Sequence, residues 1–99
     1  DQSEELLFQE INPSEFIFQG RIDLDDFNEI LETDLTKDIA DTLGGFIYGE
    51  IGRVPAEGEQ VRIDGWVLTV EQVIGRRIRM VRAKRYHAGE MEEQADGFE

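Results

Sequence analysis

The stretch Gln60-Val61-Arg62-Ile63-Asp64-Gly65-Trp66-Val67-Leu68-Thr69-Val70 decides the fold. Asp64-Gly65 separates two runs rich in β-branched and aromatic residues, the strongest short-range signal for a tight hairpin. After the turn, Trp66, Leu68 and Val70 alternate with Val67, Thr69 and Glu71, the period of a strand with one buried face. Strands joined by so short a turn pair antiparallel.

Further along the chain, Gly75-Arg76 makes a second turn, and residues 77–86 read as the last strand. Its apolar residues Ile78, Val81 and Ala83 break strict alternation. One extra residue at Arg79-Met80 restores the period, which predicts a β-bulge there. At the other end, residues 7–11 and 15–21 read as two strands around Asn12-Pro13-Ser14, where Pro presets φ and Asn and Ser bond their own backbone. Phe16 and Phe18 point to one side of the second strand.

Two helices are expected between these strand blocks. Asp23 is placed to cap the first, with Asp25 and Asp26 in its opening turn where the helix dipole favours negative charge. Leu24, Phe27, Ile30 and Leu31 form its apolar stripe, and it should end near residues 32–34. The second helix is expected from residue 37 or 38, with Ile39, Leu43, Phe46 and Ile47 on its buried face. Gly44-Gly45 inside it costs about 1 kcal/mol per glycine, which implies close packing on a strand or helix, or a ligand against the backbone. Gly52 is its expected C-terminal cap, and Pro55 prevents continuation. The order ββααβββ gives an α+β domain: an antiparallel sheet with a helix pair on one face.

The 99 residues fit one domain, read as a linker at 1–6, the domain at 7–87 and an acidic tail at 88–99 that is expected to be disordered. There is no cysteine, which excludes disulfides and thiolate metal sites. The chain begins with Asp1 and shows no signal peptide, so it reads as a piece of a larger protein. No apolar run approaches the roughly 20 residues of a membrane span, so no direct membrane insertion is expected.

The net charge is −13, from 23 acids and 10 bases, and it is unevenly spread. Residues 1–41 hold 13 of the acids, whereas residues 76–85 hold six bases and no acid. Three readings of that basic strand compete. It is a solvated face that discourages edge-to-edge pairing or docks on an acidic surface, a grip for an anionic ligand, or a nucleic-acid surface. The net charge places nucleic acid last. In the ligand reading, Gly44 and Gly45 admit an adenine nucleotide or FAD, while Arg53, Arg76 or Arg77 pairs with its phosphate.

Catalytic groups are scarce. The only serines are Ser3 and Ser14, and the only histidine is His87, after the last strand. A nucleophile needs a base beside it, so no enzyme is expected. Asp23, Asp25 and Asp26 lack the spacing and glycine of a calcium loop, and helix capping accounts for them. Gly44-Gly45-Phe46-Ile47-Tyr48-Gly49 lacks the Lys-Ser/Thr pair of a phosphate loop.

Four segments together carry a family resemblance. Phe18-Gln19-Gly20-Arg21-Ile22-Asp23-Leu24-Asp25-Asp26-Phe27-Asn28 resembles a strand–Gly-Arg–helix segment, and Asp41-Thr42-Leu43-Gly44-Gly45-Phe46-Ile47 a Thr-x-Gly-Gly helix. Gly52-Arg53-Val54-Pro55-Ala56-Glu57-Gly58-Glu59 is similar to a Gly-x-Ile/Val-Pro-x-x-Gly-Asp/Glu turn. Arg76-Arg77-Ile78-Arg79-Met80-Val81-Arg82 resembles a closing Gly-x-Arg-Ile-x-x-Val-Arg strand. In this order they resemble the CorC/HlyC transporter-associated domain over about residues 7–86. The first turn departs from it, with Asn-Pro-Ser where Asp-Gly is expected.

The resemblance implies a parent with a membrane domain and a pair of CBS modules, linked to magnesium and cobalt efflux or named a haemolysin. It implies the cytoplasmic face of the membrane, a fold akin to part of certain flavin oxidases, and no catalytic residues or expected cofactor. Two functions are then carried forward. The first is a regulatory module that docks on the CBS and membrane domains of its parent, or on a second copy through an edge strand or the Trp66 face. The second is a small-ligand binder for an adenine nucleotide or flavin. The transported ion is not legible, because ion-selective groups belong to the membrane part.

Overall fold

The computed structural model describes residues 7–86; the expected linker, His87 and the acidic tail lie outside the described residues. Five strands and two helices follow the expected order: β1 (Phe8–Asn12), β2 (Glu15–Gln19), α1 (Leu24–Leu31), α2 (Leu43–Ile51), β3 (Gln60–Ile63), β4 (Trp66–Ile74) and β5 (Arg77–Arg85). They form one antiparallel sheet in the order β1-β2-β5-β4-β3. Residues 7–86 form a small α+β domain.

All three expected turns close their hairpins. Asn12 opposes Glu15, and the Ser14 N–H donates to the Asn12 side chain at 2.8 Å. Ile63 opposes Trp66 across Asp64-Gly65, and Ile74 opposes Arg77 across Gly75-Arg76. The bulge also falls where the apolar spacing placed it. Gln72 pairs with Met80 and Val73 with Ile78, which leaves Arg79 unopposed; Glu71 is a second extra residue, on β4. The offset keeps Ile78, Val81 and Ala83 on the same buried side.

That side is the core. Phe16 and Phe18 of β2, Val81 and Ala83 of β5, and Trp66, Leu68 and Val70 of β4 meet Leu24, Phe27 and Leu31 of α1 and Leu43 and Ile47 of α2. The Phe18 and Phe27 rings lie 4.8 Å apart, and Phe16 meets Trp66 edge-on at 5.8 Å. Each of these large side chains contributes roughly 1.5–3 kcal/mol by leaving water. Trp66 is 2% exposed, so the Trp66 face belongs to the core and is not available to a second copy.

Helix α1 starts as expected: the Asp23 carboxylate accepts from the Asp25 N–H at 2.8 Å. It ends at Glu32, a non-glycine residue in the left-handed region (φ 59°). Asn28 organises the exit. Its amide donates to the Leu35 carbonyl, and its oxygen accepts from the Leu35 N–H and the Thr33 hydroxyl, each at 2.9 Å.

Helix α2 begins later than its apolar period suggests. Thr42 is its N-cap, with the hydroxyl accepting from the Gly45 N–H at 3.2 Å. Residues 37–41 are non-helical, and Ile39 is 70% exposed instead of buried. The cause is a seam of backbone bonds between two chain crossings. The Leu24 N–H donates to the Asp41 carbonyl at 2.8 Å, Leu43 N–H to Ile22 at 3.0 Å, and Gly44 N–H to Gly20 at 2.7 Å. Extended backbone at 41–42 completes more of these bonds than another helical turn would.

Candidate functional site

The seam forms one end of an open cleft of about 900 Å³. Three segments line it: the end of β2 through Arg21, residues 39–49 with the start of α2, and residues 76–79 at the β4–β5 turn. The position follows from sheet geometry. Gln19 opposite Met80 is the last pair between β2 and β5, so the β4–β5 hairpin runs on past β2 and overhangs the gap.

Gly20 and Gly44 make this close approach feasible. A Cβ on Gly20 would lie 2.0 Å from the Ile78 carbonyl oxygen, and one on Gly44 would lie 3.1 Å from the Gly20 oxygen. The other glycines of α2 face the 39–42 segment. A Cβ on Gly45 would meet Ala40 at 2.8 Å, and one on Gly49 would meet Ile39 at 2.9 Å. The close packing expected of Gly44-Gly45 is therefore real, but protein atoms already occupy the approach. The first amides of α2 are committed as well, to the Ile22 and Gly20 carbonyls and the Thr42 hydroxyl. No backbone phosphate cradle exists at this helix start.

Of the residues picked from sequence, Gly44, Gly45, Arg76 and Arg77 all line the cleft. Arg53 does not. Its guanidinium forms a two-pronged pair with Glu59 at 2.7 and 3.0 Å, and Glu59 also accepts from the Ala56 N–H at 2.9 Å. Arg53 thus closes the loop between α2 and β3. This pair holds the Glu59 carboxyl below its ordinary range, the Arg53 bond being the largest cause.

The cleft also holds Arg79, part of the basic run read from sequence, and Arg21 and Tyr48, which the sequence did not single out. Arg21 and Arg79 join Arg76 and Arg77, so four of its lining residues are arginines and none is acidic. Tyr48 and Ile39 stand on the α2 side, 38% and 70% exposed. The exposure of Ile39 follows from the late start of α2.

The six bases of residues 76–85 do not form one stripe. Arg76, Arg77 and Arg79 are at the cleft. Arg82, on the sheet face away from the helices, pairs with both Glu71 and Glu15, which raises its pKa. Arg85 lies over the Trp66 ring at 4.5 Å. The edge-guarding reading of this strand is incorrect, because β5 is the central strand and is paired on both sides. Tyr86 lies beneath Arg62, whose guanidinium carbon is 5.2 Å from the ring centre.

The aspartates behave as caps. Lys37 reaches Asp25 at 3.1 Å and Asp23 at 3.4 Å, and the Asp25 N–H is the largest cause of a lowered Asp23 pKa. Among the described residues, no group of three or more His, Cys, Asp or Glu is placed to hold a metal ion. No helix among them is long and apolar enough to cross a membrane.

A family model described as "Transporter associated domain" matches residues 9–87, almost the entire described body. The chain belongs to the CorC_HlyC transporter-associated domain family. It is 30% identical over 84 residues to the magnesium and cobalt efflux protein CorC of Escherichia coli (strain K12), covering 85% of this chain and 29% of the relative. The CorC protein of Buchnera aphidicola subsp. Acyrthosiphon pisum is 30% identical over 78 residues, covering 79% and 27%. The chain therefore spans under a third of the length of these curated relatives.

Solved structures of the family agree with the fold. The CorC_HlyC transporter-associated domain of Nitrosomonas europaea superposes with a TM-score of 0.78 at 28% identity, covering 84% of this chain and all of that one. A haemolysin domain from Enterococcus faecalis V583 gives 0.74 at 33% identity, covering 83% and all of that chain. In both, the match takes in the whole of the solved chain.

Proposed function

We propose that this domain is a non-catalytic regulatory module of a CorC-type efflux protein. It docks on neighbouring domains of its parent, or on a second copy, and so biases the parent's transport of divalent cations. One observation carries this reading: the family match spans the folded body, while efflux proteins of that family are more than three times as long. The parent's CBS modules and membrane domain are the expected neighbours, with this domain on the cytoplasmic side. A ligand that prefers one conformation shifts the equilibrium by its differential affinity, and a docked domain acts by the same rule.

The sheet supports docking through its uncovered face. Both helices pack on one side. The other side carries Ile17, Val67 and Met80, only half-buried, around the Arg82 pair with Glu15 and Glu71. Such a face, half-buried apolar side chains around paired charges, has the mixed composition of non-obligate interfaces, which are about as apolar as the rest of a protein surface. Hydrogen exchange tests it. Amides of β2, β4 or β5 should exchange more slowly in the full-length parent than in the isolated chain. Equal exchange throughout the sheet contradicts docking.

A further inference from the structure

We infer that the cleft beneath the β4–β5 hairpin is a binding site for a nucleoside di- or triphosphate, or an anion of that shape. This is a ligand site additional to the docking role. It rests on four arginines, one exposed tyrosine and no acid among the lining residues, in a chain whose net charge is −13.

The grouping of unpaired arginines singles this place out. Among the described residues, Arg53 and Arg82 are committed to carboxylates, and Lys37 to Asp23 and Asp25. Among the described residues Arg76, Arg77 and Arg79 form no ion pair; Arg62, Lys84 and Arg85 form none either, but Arg62 and Arg85 lie over the Tyr86 and Trp66 rings, and only the cleft gathers four such cations. Arg21 donates only to the Gln19 side chain, at 3.1 Å. A strongly acidic protein has carboxylates to spare for its cations, yet these guanidiniums are grouped without one. Clustered like charges repel one another unless an anion joins them. Arginine forks match phosphate oxygens two at a time, which suits this role better than point-like ammonium groups.

The cleft is divided along its width. Arg76, Arg77 and Arg79 lie on the hairpin side, and Tyr48 with exposed Ile39 on the helix side. A compact polyanion with a flat apolar end matches both sides, charge against the arginines and ring against Tyr48. The volume of about 900 Å³ falls within the usual range for small-molecule sites. Because the amides at the start of α2 are already bonded, affinity has to come from these side chains, not from a glycine-rich cradle. Gly44 and Gly45 then shape the cleft without touching the phosphate, and Arg53 has no part in it.

The test is an amide NMR titration of the 99-residue chain with ATP, pyrophosphate and adenosine, each to millimolar concentration. ATP should give saturable shifts centred on Gly20, Gly44, Tyr48 and Arg77, with pyrophosphate weaker and adenosine weakest. The double variant Arg76→Ser/Arg77→Ser should weaken ATP roughly tenfold or more, the effect of losing one or two charge-assisted hydrogen bonds. Both positions are exposed at a turn, and an unchanged spectrum elsewhere verifies folding. Arg53→Ser, outside the cleft, should bind as the parent chain does. Absence of saturable shifts with ATP, or adenosine matching ATP, overturns the inference. So does full binding by the double variant. None of these results bears on docking, which is read in the full-length parent.

Discussion

Replacing Gly20 with alanine is the sharpest available test of how the two crossings are held together. The new Cβ would lie 2.0 Å from the Ile78 carbonyl oxygen, where ordinary contact begins near 3.4 Å. The two strands would have to part by about 1.4 Å. No side chain can swing aside, because the obstacle is the backbone of the central strand. Parting also strains two bonds made by the same residue: Gly20 N–H to Arg79 at 3.0 Å, and Gly44 N–H to the Gly20 oxygen at 2.7 Å. Overpacking costs roughly 1–3 kcal/mol, and each weakened backbone bond about 0.5–1.5 kcal/mol, so we expect a loss of about 3 kcal/mol or more. Against a typical domain stability of about 5–15 kcal/mol, that leaves a folded but fragile protein. Urea unfolding followed by Trp66 fluorescence reads it. With a slope of about 1–1.5 kcal/mol per molar, the midpoint should fall by roughly 2–3 M. A midpoint within about 0.3 M of the parent chain would refute the close approach of Gly20 to Ile78.

Gly49→Ala should behave in the opposite way. Its new Cβ meets only the exposed Ile39 side chain, which can rotate, so the helix gains about 0.5–1 kcal/mol in the same assay. Glu32→Gly should also stabilise, by up to about 1 kcal/mol, because Glu32 holds a left-handed cap that glycine adopts freely. Thr42→Ala removes the cap of α2 and should cost about 1 kcal/mol in urea unfolding. Glu59→Gln tests the Arg53 pair through pH. The folded Glu59 carboxyl titrates below its ordinary 4.5, so its stabilisation is complete above that pH and fades as pH falls through the lowered value. The decline in melting temperature between pH 6 and pH 3 should be smaller in Glu59→Gln than in the parent chain.

The sheet was legible because each of its signals is local. Asp64-Gly65, Gly75-Arg76 and Asn12-Pro13-Ser14 carry their own turn chemistry, and the spacing of Ile78, Val81 and Ala83 located the irregularity at Arg79. The start of α2 was not legible. Ile39, Leu43, Phe46 and Ile47 keep a helical period, but the bonds that hold residues 41–42 extended and start the helix only at Leu43 come from Gly20, Ile22 and Leu24, about 20 residues away. Thr42 ahead of an apolar run was a capping signal that could have been weighed against that period.

The candidate site divides in the same way. Arg76 and Arg77 were visible as a charge run beside a turn. Arg21 and Tyr48 join them only because the β4–β5 hairpin overruns β2, a fact of sheet order. Arg53 looked free in sequence, although its partner Glu59 lies six residues on, across a loop that folds back. Sheet order also overturned the edge-guarding role of β5, since hairpin signals fix which neighbours in sequence pair but not where the first hairpin joins the second.

If this domain regulates a cation-exporting parent, as proposed, cobalt export by that parent responds to its removal. Cells expressing the full-length protein are loaded with cobalt, and efflux is compared with that of a form lacking residues 7–86 at equal membrane abundance. Regulation by the domain gives a changed export rate, or a changed dependence of that rate on magnesium. Identical export and identical magnesium dependence in the two forms would contradict it.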